Sequence, residues 1–316
     1  MKVLANDGIS QVGVDRLKSA NFEVIETRVA QEQLINYINE NNISALLVRS
    51  ATQVDKTLID QCKGLKLIGR GGVGMDNIDV SYATSKNIHV INTPAASSES
   101  VAELVIGHLL NGVRFLADAN RNMPLEGDSK FKQLKKSYQK GIELKGKTLG
   151  IIGFGRIGQA VAKRAIGMGM TVVFSDHHPE EREISMEFFN GQKVNFKLSG
   201  IPLDELLQQS DFITIHTPQT KGYVIGSSEI EKMKAGVGII NASRGGVLDE
   251  VALIEGLDEG KIAFAGLDVF ESEPTPEIKI LMNPKISLSP HIGGSTQEAQ
   301  DRIGLELAEQ IISLLD

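Results

Sequence analysis

Short runs rich in Val, Ile and Leu recur along the chain, separated by longer stretches with helical spacing, and no other feature narrows the fold so far. The runs are Lys2–Ala5, Ala45–Val48, Leu65–Ile68, Val90–Ile91, Thr148–Ile152, Thr171–Phe174, Phe212–Ile215, Gly238–Ile240, Phe264–Val269 and Ile286–Leu288. They alternate poorly between apolar and polar residues. A strand that is apolar on both sides is buried on both sides, as in a parallel sheet covered by helices. The βαβ rhythm therefore predicts an α/β protein with doubly wound parallel sheets. A chain of 316 residues, 41% of them apolar, is long for one core and comfortable for two. Two small, polar, Pro-containing stretches, Asn92–Ser100 and Pro290–Ala299, suit crossings between domains. Ser100 and Glu103 make a capping-box pattern, so a helix is expected to start there. Its apolar residues, Val101 to Leu116, cover most of its circumference, which fits internal burial or a subunit interface.

The second half opens with a dinucleotide signature. Gly153-Phe-Gly155-Arg156-Ile157-Gly158 follows the run Thr148–Ile152 and precedes a helical stretch, Gln159–Met168. Gly153 permits the tight turn, Gly155 lets backbone approach a pyrophosphate, and Gly158 lets helix and strand pack closely. The helix N-terminus then offers free N–H groups and a positive dipole end to the anion. Asp176 ends the next strand, 18 residues after Gly158, where an acid meets the adenosine ribose. A carboxylate there repels a 2′-phosphate, and the neighbours His177 and His178 bring no Arg or Lys, so NAD is expected over NADP. An earlier match, Gly69-Arg70-Gly71-Gly72-Val73-Gly74, is followed by Met-Asp-Asn, which opens a helix poorly. It reads better as a turn whose N–H groups can hold a carboxylate, or as a plain tight turn.

Open α/β sheets bind ligands beyond the carboxyl ends of their strands. There the sequence sets His216-Thr217-Pro218, Ala242-Ser243-Arg244, Glu273 and His291. Interconversion of a hydroxyl and a carbonyl needs a histidine to exchange the proton, a carboxylate to orient it and an arginine to grip the substrate. Of the six histidines, His89 and His108 lie inside elements and look structural, while His177 and His178 look solvated. His216 is expected to line the cofactor crevice, which leaves His291, with Arg244 and Glu273, as the catalytic candidates.

A net charge of −7 speaks against a nucleic-acid footprint, despite a basic stretch from Lys130 to Lys147 that reads as a solvated connector. No apolar run approaches the ~18 residues of a membrane span, and the N-terminus turns polar too early for a secretory signal. One cysteine, Cys62, fits a reducing cytoplasm.

GRGGVGMDNID, NTPAASSESVAEL, GFGRIG, HTP, NASRGG, AGLDVFESEP and SPHIGGST, in that order, resemble the D-isomer-specific 2-hydroxyacid dehydrogenases over nearly the full length. The resemblance implies a Rossmann NAD-binding domain of residues 98–290. It implies a flavodoxin-like substrate domain of residues 1–97 with 291–316. It assigns catalysis to Arg244, Glu273 and His291. It assigns NAD contacts to Val73, Gly153, Gly155, Arg156, Ile157, Gly158, Asp176, His216, Thr217, Pro218, Ala242, Ser243, Asp268, Gly293 and Gly294. Substrate contacts fall on Arg49, Ser50, Arg70, Gly71, Gly72, Val73 and Gly74. Within the family the motifs look most like those of the branch that oxidises 3-phospho-D-glycerate, with a reductase of glyoxylate or hydroxypyruvate as the alternative. An NAD-sensing binding protein on the same fold is the reading from another class. The resemblance further implies a homodimer through the NAD-binding domain. The C-terminal regulatory domain of longer members, and serine feedback through it, are not expected.

Overall fold

A computed structural model describes residues 1–315. The chain forms two compact units, residues 1–100 with 294 onward, and Val101–Gly293.

The first unit is built on a parallel sheet of β1 (Lys2–Ala5), β2 (Glu23–Ile25), β3 (Ile43–Val48), β4 (Leu67–Arg70) and β5 (His89–Asn92), in the order β2-β1-β3-β4-β5. This is the flavodoxin-like doubly wound order. Successive residues of β1 serve opposite faces: Val3 and Ala5 join one core and Leu4 the other. The C-terminal helix Gln297–Leu315 covers the first of these faces with Ile303, Leu307 and Ile311. It crosses helix Gln11–Ser19 where Gly304 meets Gly13, and a Cβ on Gly13 would lie 2.8 Å from Gly304 backbone. The edge strand β2 has no counterpart among the expected strands. Its three residues are exposed or half-buried, too short and too wet to leave an apolar run.

The second unit carries six parallel strands, β6 (Thr148–Ile152), β7 (Thr171–Ser175), β10 (Phe212–Ile215), β11 (Val237–Asn241), β12 (Ile262–Leu267) and β13 (Ile286–Leu288). Between β7 and β10 the chain adds a separate antiparallel hairpin, β8 (Arg182–Glu187) with β9 (Lys193–Leu198). The sheet order is β13-β12-β11-β10-β6-β7, so the chain leaves β6 on one side and returns to β10 on the other. That reversal is the switch point at which doubly wound sheets hold ligands. All of β10 and β11 is buried, which accounts for their mostly apolar runs, with Thr214 and Asn241 as the buried polar exceptions.

The long helix of this unit starts at Ser98, not Ser100. Small residues from Ala95 to Ser98 let the backbone turn earlier, and Pro94 limits further extension. The capping-box pair thus lies inside the helix, whose Val101, Ala102, Val105, Leu109 and Val113 are buried in the core. The unit boundary also differs from residue 290. Backbone N–H groups of Ile292 and Gly293 donate to the Asp268 carboxylate, which ties residues 291–293 to the second unit. Among the described residues no single helix is long and apolar enough to cross a membrane. The pair Ser98–Arg114 and Leu116–Glu126 passes together by length and composition, but it bends by 59°.

Candidate active site

Three loops at the carboxyl ends of β11, β12 and β13 bring Arg244, Glu273 and His291 to one cluster in the second unit. Asn241, the last residue of β11, pins the first loop: its amide donates to the Arg244 carbonyl, and its Oδ1 accepts from the N–H and hydroxyl of Ser243. The Glu273 carboxylate is held at both oxygens. Oε1 accepts the Phe270 N–H at 3.0 Å and Oε2 faces His291 Nδ1 at 2.8 Å. A carboxylate only accepts, so Nδ1 carries the proton and Nε2 is left as the basic nitrogen. Burial pushes the Glu273 carboxyl up. The bonds from His291 and Phe270, with the Arg244 charge nearby, outweigh that and hold it below its usual range. His291 adopts a left-handed backbone at φ 53°, secured by its N–H on the carbonyls of Asp268 and Ser289. Its side chain is 44% exposed and that of Glu273 36%, so both remain open to solvent.

At the carboxyl end of β6, Gly153 takes φ 88°, and a Cβ there would lie 2.5 Å from the His216 carbonyl. A Cβ on Gly158 would meet the Gly153 carbonyl at 2.3 Å, whereas Gly155 faces open space. The helix Arg156–Gly167 starts without a side-chain cap, so its first N–H groups stay available. Asp176, just past β7, accepts from the N–H groups of Phe154 and His178. Burial raises this carboxyl, but those two bonds and the adjacent imidazoles of His177 and His178 bring it below the usual range. His216 bonds Thr214 through Nε2, and its Nδ1 is buried without a partner. Burial pushes this imidazole down to about 3, so it stays neutral and takes no part in proton exchange near pH 7.

In the first unit, Arg49 and Ser50 follow β3, and the glycine-rich turn follows β4. The N–H groups of Gly71 and Gly72 already donate to the carbonyls of Val48 and Arg70. The two expected carboxylate donors at Gly71 and Gly72 are therefore already engaged with backbone. Gly72, at φ 148°, lies under the Arg70 guanidinium, where a Cβ would overlap it. The Asn92 amide donates to the Val73 carbonyl and fixes the turn.

Comparison with known proteins bears on what such loops serve. Residues 106–293 match the model of the D-isomer specific 2-hydroxyacid dehydrogenase NAD-binding domain. A hydroxypyruvate reductase of Thermotoga maritima is 43% identical over 99% of this chain and 98% of its own length. A D-3-phosphoglycerate dehydrogenase of Archaeoglobus fulgidus is 41% identical over 99% of this chain, which spans only 57% of that relative. The crystal structure of the TT0316 protein from Thermus thermophilus superposes with a TM-score of 0.86 at 30% identity, covering 100% of this chain and 97% of that one. The chain belongs to the D-isomer specific 2-hydroxyacid dehydrogenase family.

As a member of that family the chain is an oxidoreductase whose cofactor is NAD, and its own residues fit the group. Thr217 Oγ1 and His216 Nδ1 are buried without partners beside Gly153, Gly155 faces open space with room for a close-approaching group, and Asp176 follows β7 at the same rim. Arg156 and Ile157 form the first turn of the helix behind the glycines, and Pro218, Ala242 and Ser243 follow the neighbouring strands. Asp268 departs from an open contact surface. It is 1% exposed, and its carboxylate accepts from the Ser289 hydroxyl and from the N–H groups of Ile292 and Gly293. Gly294 belongs to the first unit, with Ser97 as its neighbour. Asn241 and Ser289 were not among the expected site residues. Asn241 carries a signal, an Asn closing a strand before a turn; Ser289 carries none.

Proposed function

We propose that the chain catalyses NAD-dependent oxidation of a D-2-hydroxy acid to a 2-oxo acid, with 3-phospho-D-glycerate as the substrate and 3-phosphooxypyruvate as the product. The observation that carries the catalytic reading is the 2.8 Å Glu273–His291 pair, which engages Nδ1 and leaves Nε2 of His291 to face a substrate, with the Arg244 charge near the Glu273 carboxylate. His291 Nε2 takes the hydroxyl proton as the carbonyl forms. Glu273 keeps the Nδ1–H oriented and balances the imidazolium that results. Arg244 holds the oxygen of the reacting carbon or its carboxylate by charge-assisted hydrogen bonds. When bound, NAD supplies the hydride acceptor.

The phosphorylated substrate is supported by groups of the first unit, Arg49 after β3 and the free N–H groups of Val73 and Gly74, which suit an acid with two anionic ends. Hydroxypyruvate or glyoxylate reduction is the second reading. It is favoured by the relative named a hydroxypyruvate reductase, whose length this chain nearly matches. Location in the cytoplasm and a homodimer through the second unit complete the proposal. Helix Leu116–Glu126 supports the dimer, since it buries none of its residues and exposes Leu116, Met123 and Leu125.

The test is a panel of 3-phosphoglycerate, D-glycerate, hydroxypyruvate and glyoxylate assayed with NAD(H), using wild type and Arg49→Ala. Turnover of 3-phosphoglycerate should dominate when the oxo product is trapped. Arg49→Ala should cost the phosphorylated acid about 10- to 100-fold in kcat/KM, the worth of a charge-assisted bond, and leave D-glycerate nearly unchanged. No NADH from 3-phosphoglycerate, with brisk reduction of hydroxypyruvate, would replace this substrate by the second reading.

A further inference from the structure

His108 sits in the middle of an apolar helix, is 4% exposed, and takes no part in the mechanism above. A buried imidazole is costly unless both nitrogens are satisfied, and here both are. Nδ1 lies 2.7 Å from Ser287 Oγ and Nε2 lies 2.9 Å from Ser289 Oγ. The fold makes room for the ring: Gly266 of β12 lies against it, and a Cβ there would sit 2.6 Å from His108 Cβ.

The direction of every bond in this chain is fixed by its ends. Asp268 is a carboxylate and can only accept, so the Ser289 hydroxyl spends its proton on Asp268 Oδ1 at 2.6 Å. Ser289 Oγ must then accept from His108, which places the ring proton on Nε2. His108 Nδ1 is left as the acceptor and receives the Ser287 hydroxyl proton. At the other end, Asn111 Oδ1 accepts the Ala117 N–H, so its amide nitrogen donates to Ser287 Oγ. The relay thus runs one way, Asn111 to Ser287 to His108 to Ser289 to Asp268. Beyond Asp268, the carboxylate takes the N–H groups of Ile292 and Gly293, and the Asp268 carbonyl takes that of His291, each at 2.8 Å. Those three bonds clamp the turn in which His291 holds its left-handed backbone.

We propose that His108 is a positioning residue for His291: as a neutral Nε2–H imidazole it fixes Ser289 on Asp268, and Asp268 fixes the turn that presents His291 to Glu273. The inference rests on the proposed catalytic role of His291 for its kinetic consequence, though not for its geometry. Burial pushes the His108 imidazole below its ordinary range against the pull of Asp268, in keeping with a neutral ring. Loosening the turn should lower the fraction of time that the His291–Glu273 pair is aligned, so turnover falls while the acid still binds.

The test uses His108→Leu, which removes both bonds; His108→Gln, whose amide can still donate to Ser289; Ser289→Ala, which cuts the link to Asp268; and the His108→Leu/Ser289→Ala double variant. His108→Leu and Ser289→Ala should each lower kcat about five- to tenfold, the effect of one hydrogen bond, with KM for the acid within about twofold. His108→Gln should recover most of the loss. The double variant should be no worse than Ser289→Ala alone, because both act through one path. An independent readout is ¹⁵N-resolved NMR of the rings: wild-type His108 should appear as the Nε2–H tautomer, and the His291 ring signals should move in Ser289→Ala. A protonated Nδ1 on His108, unmoved His291 signals, or additive losses in the double variant would overturn the proposal. If no acid is turned over by wild type while His291 signals still follow Ser289→Ala, the proposed reaction fails and the positioning role stands. Should His108→Leu not fold, His108→Gln and Ser289→Ala carry the test.

Discussion

Gly245 and Gly246 are neighbours after Arg244, yet a methyl group added to each meets very different surroundings. On Gly245 the new carbon would lie 1.9 Å from the Phe270 carbonyl oxygen, 2.2 Å from its carbon and 2.7 Å from the Glu271 nitrogen. These are backbone atoms of the loop that leads to Glu273, and they cannot swing aside. Against an ordinary contact of 3.4 Å, the Arg244 and Glu273 loops must separate by about 1.5 Å. On Gly246 the nearest atom is Nε2 of Gln219 at 2.6 Å, the free end of a flexible side chain. Displacing a catalytic group by about 1 Å can cost 10²-fold, so Gly245→Ala should lower kcat/KM about 100-fold. Overpacking of this kind also costs about 1–3 kcal/mol in stability, a fall of several degrees in the unfolding midpoint. Gly246→Ala should stay within about twofold in rate, the range of substitutions that shift only a mobile side chain. Steady-state kinetics and thermal unfolding of the two variants side by side are sufficient. Equal effects, or a harmless Gly245→Ala, would refute the claim that these two loops are held in register by backbone contact at Gly245.

Three further outcomes are expected. His291→Asn should lower turnover by about 10² or more with NAD binding retained, measured by cofactor fluorescence; Asn tolerates the left-handed backbone at this position, so the loss isolates chemistry from strain. Asp176→Ala should weaken NAD and reduce the preference over NADP at least about tenfold in the ratio of kcat/KM values, since the fixed carboxylate that repels a 2′-phosphate is gone. Glu273 has its carboxyl held below the unfolded range, so the native state binds that proton less readily than the unfolded state does. Its contribution is therefore present above the ordinary carboxylate pKa and lost as pH falls through the lower native value. The gap in unfolding midpoint between wild type and Glu273→Gln should accordingly close in acid and persist at neutral pH.

Apart from the edge strand β2, the strands of the two parallel sheets were legible because residues buried between helices on both faces are mostly apolar, as β10 and β11 show. Gly153 and Gly158 were legible for a similar reason: backbone that must approach other backbone excludes a side chain at those positions. The hairpin β8–β9 went unrecognised although Glu183 to Met186 roughly alternate in burial and Asn190-Gly191 supplies a turn. Strands that pair only with each other, with one buried anchor at Ile184, leave a weak apolar signal. His108 was legible as a structural residue, but its partners were not. A histidine amid Val, Ile and Leu on a helix gives no hint of its partners, because Ser287 and Ser289 of the β13 segment meet it from 179 and 181 positions away in the chain. Sequence patterns report how each segment meets solvent; they do not report which distant polar groups share a proton. The candidate catalytic residues Arg244, Glu273 and His291 were legible because they stand in loops after strands, where topology alone exposes them. The proposed positioning partners, buried in a helix and a strand (His108, Ser287) or just past a strand end (Ser289, Asp268), become visible only when donors and acceptors can be counted around a chain of bonds.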